Sequence, residues 1–187
     1  MSFLSRLLRP RADDRAPVRP LWHRTVELAR DRRWYAAPGS NGSGVADTLA
    51  GRFDAITLVL GTLLLRMERE QALIEPSVKL TELFVEDMDA QLRQNGLGDL
   101  VVGKHIGKLM SVLGGRLGAL REALAESSDN ALIAAIERNI SLDETGDPAR
   151  IAALLRALST SLDAASAEEI MAASIALPEA PAEADRA

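Results

Sequence analysis

The chain has 187 residues, 47% of them hydrophobic, which is enough to bury a core in one domain with tails. It contains no cysteine, which excludes a disulfide framework, a thiolate metal site and a cysteine nucleophile. The net charge of −5 is unevenly spread: residues 1–33 hold nine Arg against four acids, a balance of +5, so the rest carries −10, which argues against DNA as a partner. Aromatic residues make up 3% and the apolar mass lies in Leu, Ala, Ile and Val, a balance that favours helix on helix over sheets. The expected fold is all-α: a single irregular helical bundle of about six to seven helices with disordered termini.

The first nine residues place Phe3, Leu4, Leu7 and Leu8 on one helical face and Arg6 and Arg9 off it, the pattern of a short interfacial helix that folds on a membrane or partner. No secretory signal is visible, since Met1 to Leu8 lacks an apolar core and runs into Arg9, Pro10 and Arg11, and Asp13 and Asp14 within the Arg-rich head argue against an organelle leader; this predicts a bacterial cytoplasmic protein, peripheral at the inner face of the membrane. Residues 1–19 read as a basic head and Pro-rich linker, residues 20–177 as the helical domain and residues 178–187 as a disordered acidic tail.

Within the domain, Pro20 opens a helix that the spacing of Trp22, Val26, Ala29 and Arg33 carries to Trp34 or Tyr35. Turn formers fill 38–44. A long helix follows from about Ala46, with Phe53, Ile56, Leu60, Leu63, Leu64 and Met67 on one face. Pro76 breaks the pattern; Leu80, Phe84, Met88 and Leu92 resume it at strict i+4 spacing until Asn95-Gly96 stops that helix. The next helix repeats Ile106, Leu109, Leu113, Leu117, Leu120 and Leu124 but also holds Gly107, Gly114, Gly115 and Gly118. Four interior glycines forfeit about 3 to 4 kcal/mol relative to alanine, so a close contact with another helix of the same chain is expected to offset them, the alternatives being an exposed groove for a partner helix or a kink at Gly114-Gly115. Shorter helices are expected over 129–140, 148–162 and 166–177, the last opened by a capping box of Ser166 and Glu169.

The stretch from Gly98 to Lys104 fits GxxxxGK of a phosphate loop, but His105 stands where Ser or Thr would hold magnesium, and a helix rather than a strand precedes it. Asp87 and Asp89 lack the third ligand, turn glycine and bidentate glutamate of a calcium loop. They read instead as a helix face on which Asp89 pairs with Arg93. His23 and His105 have no co-ligands at metal-site spacing. No catalytic motif, metal site or cofactor site is expected, and the chain reads as a non-enzyme.

Several ordered segments resemble the ubiquinol-cytochrome c chaperone family, the helical assembly factors for cytochrome b. They are the helix from Trp22 to Tyr35, the run Gly44-Val45-Ala46-Asp47-Thr48 followed by Gly51-Arg52-Phe53-Asp54, the Leu65-Arg66-Met67 helix end, and above all Phe84-Val85-Glu86-Asp87-Met88-Asp89, Leu92-Arg93, Gly96-Leu97-Gly98-Asp99-Leu100 and Val102-Gly103-Lys104. After the GK element the family usually shows Tyr-Gly-Arg and a further Tyr. Here Leu113-Gly114-Gly115-Arg116 and Leu120 stand instead, keeping Gly115 and Arg116.

The resemblance implies a non-catalytic chaperone that binds newly synthesised cytochrome b and promotes assembly of the ubiquinol-cytochrome c reductase. The ribosome or a small helical protein are further candidate partners. Arg52, Asp54, Asp87, Asp89, Arg93, Asp99 and Lys104 are expected to form the client surface, with Phe53, Phe84 and Met88 supporting it from the core. Gly96, Gly98 and Gly103 would shape the turn and the following helix, and Phe3, Leu4, Leu7 and Leu8 would touch the membrane. The alternatives are a membrane-surface adaptor without a dedicated client and, against the motif argument above, a nucleotide-binding enzyme.

Overall fold

The computed structural model describes residues 13–94 and 99–179, and of these the side chains at Leu92, Gln94 and 99–105 are not described. The expected membrane-contact residues of the head and the turn glycines Gly96 and Gly98 lie outside the described residues.

The longest apolar helix, α3 (Leu49–Met67), is buried on nearly all sides from Asp54 to Leu65, as a helix apolar all round must be. Its neighbours are α1 (Arg19–Ala29), α5 (Asp99–Ala125) and α7 (Pro148–Ala164). Around them α4 (Ile74–Gln94) packs on α1 and α5, α6 (Asn130–Asn139) bridges α5 and α7, and a short α8 (Ala167–Met171) returns to α1. The described residues form an all-α bundle whose sole strand-like pairing is one antiparallel bridge between Val45 and Leu142.

The single helix expected from Pro20 to Tyr35 is broken. Asp31 accepts from the Arg33 amide at 2.9 Å and starts a separate turn, α2 (Arg32–Tyr35). The fold uses this break: Trp34 Nε1 donates to Leu28 O at 2.9 Å and the Tyr35 hydroxyl donates to Ala29 O at 2.7 Å, so two aromatic side chains satisfy terminal carbonyls of α1. Packing also begins before Pro20, since Val18 is buried and Arg15 reaches Glu86 on α4 at 2.9 Å. Pro17 and Pro20 sit at helix starts, where a missing amide costs nothing. Pro76 likewise lies in the first turn of α4 and does not break it.

Residues 43–46 are pinned against 141–147. Asp143 donates its amide to Gly44 O and Ala46 donates its own to Ser141 O, both at 2.9 Å. Gly44 has φ +68°, and a Cβ there would meet Gly146 Cα at 2.6 Å, so this corner requires glycine. Thr48 then caps α3 by accepting from the Gly51 amide at 3.2 Å. At the far end Arg66 donates to the carbonyls of Leu162 (3.0 Å) and Ala165 (2.9 Å), closing α7.

α5 corrects the expectation for its glycines. It runs as one helix through Gly107, Gly114, Gly115 and Gly118, and a Cβ at any of the four would meet nothing within 4 Å. The close approach is made from the other side, where Gly61 of α3 would place a Cβ 3.1 Å from Leu120. The helix expected over 166–177 is shorter too: the Ser166/Glu169 capping box is present, but α8 ends at Met171. Beyond it, Arg24 and Arg33 hold the carbonyls of Ile175 (2.8 Å), Leu177 (3.0 Å) and Pro178 (2.9 Å) against α1 and α2.

Candidate functional site

The α1–α2 corner, the first turns of α3, the C-terminal half of α4 and Leu109 of α5 enclose a half-open groove of about 910 Å³. Its floor is apolar, with Val26, Phe53, Ile56, Met88 and Leu109; its rim is charged, with Arg30, Arg32, Asp47, Arg52 and Asp87. Leu49 stands at the mouth, 70% exposed, on the first turn of α3. The groove is thus a concave apolar surface rimmed by charge, with a large exposed hydrophobe at its edge.

The floor is stiffened from beneath. Phe84 is fully buried and touches Trp22 edge-on (centroids 6.1 Å) and Phe53 (6.3 Å), so the ring that lines the groove is held by a three-ring cluster. On another side the Arg116 guanidinium lies 5.6 Å from the Phe53 ring centroid. Arg116 itself is anchored: Nη2 donates to Asp54 Oδ1 at 2.5 Å and to Asn139 O at 2.6 Å, and Nη1 donates to Thr57 Oγ1. The Ser141 amide donates to the other Asp54 oxygen at 2.8 Å.

Asp54 is therefore no part of a client surface. It is 4% exposed and joins α3, α5 and the end of α6, because a carboxylate at that position of an otherwise apolar helix requires a buried cation. The sequence had placed Asp54 and Arg116 in two separate motifs, and the fold unites them. Arg116 Nε is buried without an acceptor among the described residues, and the Phe53 ring is a neighbour of the cation.

Of the other expected site residues, Arg52, Phe53, Asp87 and Met88 all line the groove. Arg52 is exposed and pairs with Asp47 at 2.8 Å. Asp89 and Arg93 form the expected i+4 pair at 2.8 Å but are not among the lining residues. Asp99, Gly103 and Lys104 fall in the first turns of α5. That segment is helical from Asp99 onward, so it offers no open loop to wrap a phosphate. No group of three or more metal-ligating side chains occurs among the described residues.

Sequence reasoning missed Arg30, Arg32, Tyr35, Leu49 and Gln91 as groove residues. Leu49 had no signal, because an apolar residue opening a helix reads as core. Tyr35 had one, as the sole tyrosine of the chain at the end of a motif helix. Its hydroxyl is pushed up to about 12 by burial.

The pattern of the ubiquinol-cytochrome C chaperone family matches residues 41–177, a span that contains the α3 half of the groove, α4, Asp54 and Arg116. The chain belongs to the ubiquinol-cytochrome C chaperone family. The crystal structure of the Cbp3 homolog from Brucella abortus superposes with a TM-score of 0.75 at 31% identity, covering 88% of this chain and 90% of that one. A comparison with curated proteins finds no match. Within the matched span, Arg52, Phe53, Asp87 and Met88 line the groove, while Asp54 and Phe84 lie buried beneath it.

Proposed function

We propose that this chaperone holds newly synthesised cytochrome b during assembly of the ubiquinol-cytochrome c reductase, with the groove over Phe53 and Met88 as the client's seat. The observation that carries the reading is the convergence of Arg52, Phe53, Asp87 and Met88, read from separate family-like motifs, on one apolar cleft with Leu49 exposed at its mouth. A client with several apolar spans needs such a surface until its own partners arrive. No helix of the described residues is long and apolar enough to cross a membrane, so contact with the bilayer would fall to the head, through Phe3, Leu4, Leu7 and Leu8. Flotation with liposomes that is unchanged by deleting residues 1–9 would dismiss that contact.

Deletion of the chaperone in its source organism, followed by haem difference spectra, tests the whole reading. Lower cytochrome b and slower electron flow from quinol to cytochrome c are expected, restored by the wild-type chain and not by Leu49→Asp. Leu49 is so exposed that this change leaves the core untouched. Undiminished cytochrome b after deletion rejects the client. Full rescue by Leu49→Asp, together with unchanged co-purification of cytochrome b, rejects the groove.

A further inference from the structure

The groove holds charges of both signs that form no salt bridge among the described residues. Arg30 and Arg32, at the turn between α1 and α2, are exposed and form no salt bridge among the described residues. Asp87, on α4, is half-buried and has no cation partner there either. Their neighbours behave differently: Arg33 pairs with Asp31, Arg52 with Asp47, Arg15 with Glu86 and Arg93 with Asp89. Charges that hold no salt bridge around an apolar floor lose solvation when the floor is covered, unless the covering molecule supplies counter-charges. An anionic membrane surface would satisfy Arg30 and Arg32 but press its phosphates on Asp87. A peptide can place both signs correctly.

We infer that the occupant is an amphipathic helical segment of a protein, whose apolar stripe is flanked by a carboxylate for Arg30 and Arg32 and by a basic side chain for Asp87. The inference rests on the groove being the client site and adds the charge pattern that the client segment carries. The walls are helices, and a helix laid among them packs its apolar ridge onto Phe53, Met88 and Leu109 as an amphipathic helix does in a groove. The flanking charges then fix its orientation.

The full-length chain is titrated, by fluorescence anisotropy, into three labelled helical peptides sharing one Leu/Phe stripe: one with Glu along one flank and Lys along the other, one with Lys on both, one with Glu on both. The mixed peptide binds tightest, and its affinity falls with rising salt. R30E/R32E weakens the mixed and all-Glu peptides by roughly threefold to tenfold and strengthens the all-Lys peptide, the scale of two partly exposed pairs. D87K weakens the mixed and all-Lys peptides and strengthens the all-Glu one. None of the three holds a salt bridge among the described residues, though Arg32 lies close enough to Asp31 to favour its charged form, so the melting temperature of each variant is measured to confirm folding, and the salt dependence of the wild type gives a reading that needs no variant.

Affinities indifferent to both reversals and to salt overturn the inference. So does preferential binding of anionic phosphatidylglycerol vesicles through Arg30 and Arg32, or self-association of the chain that the reversals abolish. If cytochrome b co-purification is lost in Leu49→Asp while no peptide preference appears, the charge pattern fails and the client site stands. If Leu49→Asp leaves co-purification intact, the client site itself has failed.

Discussion

With one Asp54 oxygen facing the Arg116 guanidinium and the other the Ser141 amide, removing either side chain leaves a buried group uncompensated. The two side chains are 6% and 9% exposed, so water cannot replace the lost partner. Asp54→Ala or Arg116→Ala should each cost about 3 to 5 kcal/mol in urea unfolding, whereas replacing both with apolar residues of similar volume costs less than either alone. A single change costing under about 1 kcal/mol would show that the pair does not hold α3, α5 and α6 together. Tyr35 offers a second reading at this scale, because it is the chain's one tyrosine and its phenolate absorbance is unambiguous. Burial raises its folded value to about 12, above the ordinary 10, so the stability it contributes is complete below about pH 10 and fades as pH climbs toward 12. An absorbance titration of the native chain should therefore have its midpoint near 12, falling to about 10 in urea; a native midpoint near 10 would place the hydroxyl in solvent.

At the scale of the helix, α5 is the element whose sequence and surroundings disagree. Its glycines carry the propensity cost of about 0.8 to 1 kcal/mol each, and among the described residues no neighbour lies within 4 Å of where their side chains would begin. Gly114→Ala and Gly115→Ala should each raise stability by up to about 1 kcal/mol, seen as a higher melting temperature. A loss would mean that the open space on that face is filled in solution. The same helix shows where sequence reading stops. Apolar periodicity located α3, α4, α6 and α7 because each buries a stripe that only its own residues can supply. The face of α5 that meets α3 is its leucine stripe, with Leu117 and Leu120 over Gly61; what no pattern within α5 displays is that the small residue of this contact sits on the partner helix. The break at Asp31 was hidden for a related reason, since the carbonyls it frees are satisfied by Trp34 and Tyr35, residues that also fit an uninterrupted helix. The groove was half legible: Arg52, Phe53, Asp87 and Met88 lie in motifs and Leu49 stands one helical turn before Phe53 on α3, while Arg30 and Arg32 become neighbours of them only through the packing of α1 on α3 and α4.

For the molecule as a whole, ion pairs at helix starts, within a helix and between helices make folding sensitive to acid. A hydrogen bond from Arg33 holds Asp31 below its ordinary 3.8, Arg19 does the same for Asp13, and Arg121 and Lys79 hold Glu68 and Glu75 below 4.5. Each carboxylate thus binds its proton less readily folded than unfolded, so its contribution is complete above the unfolded value and lost as pH falls through the lower folded one. Stability should decline as pH drops below about 4.5, and because most of these pairs face solvent, added salt should blunt the decline. Asp31 matters most for architecture: the Arg33 it orients also holds Leu177 and Pro178, so protonating it loosens the C-terminal segment from α1 and α2. Asp31→Asn should begin with a lower melting temperature at neutral pH, show a shallower fall between pH 5 and pH 3, and expose residues near Ser174 to limited proteolysis. If the mutant and wild-type curves stay parallel through that window, Asp31 is not the carboxylate that ties the chain's end to its first helix.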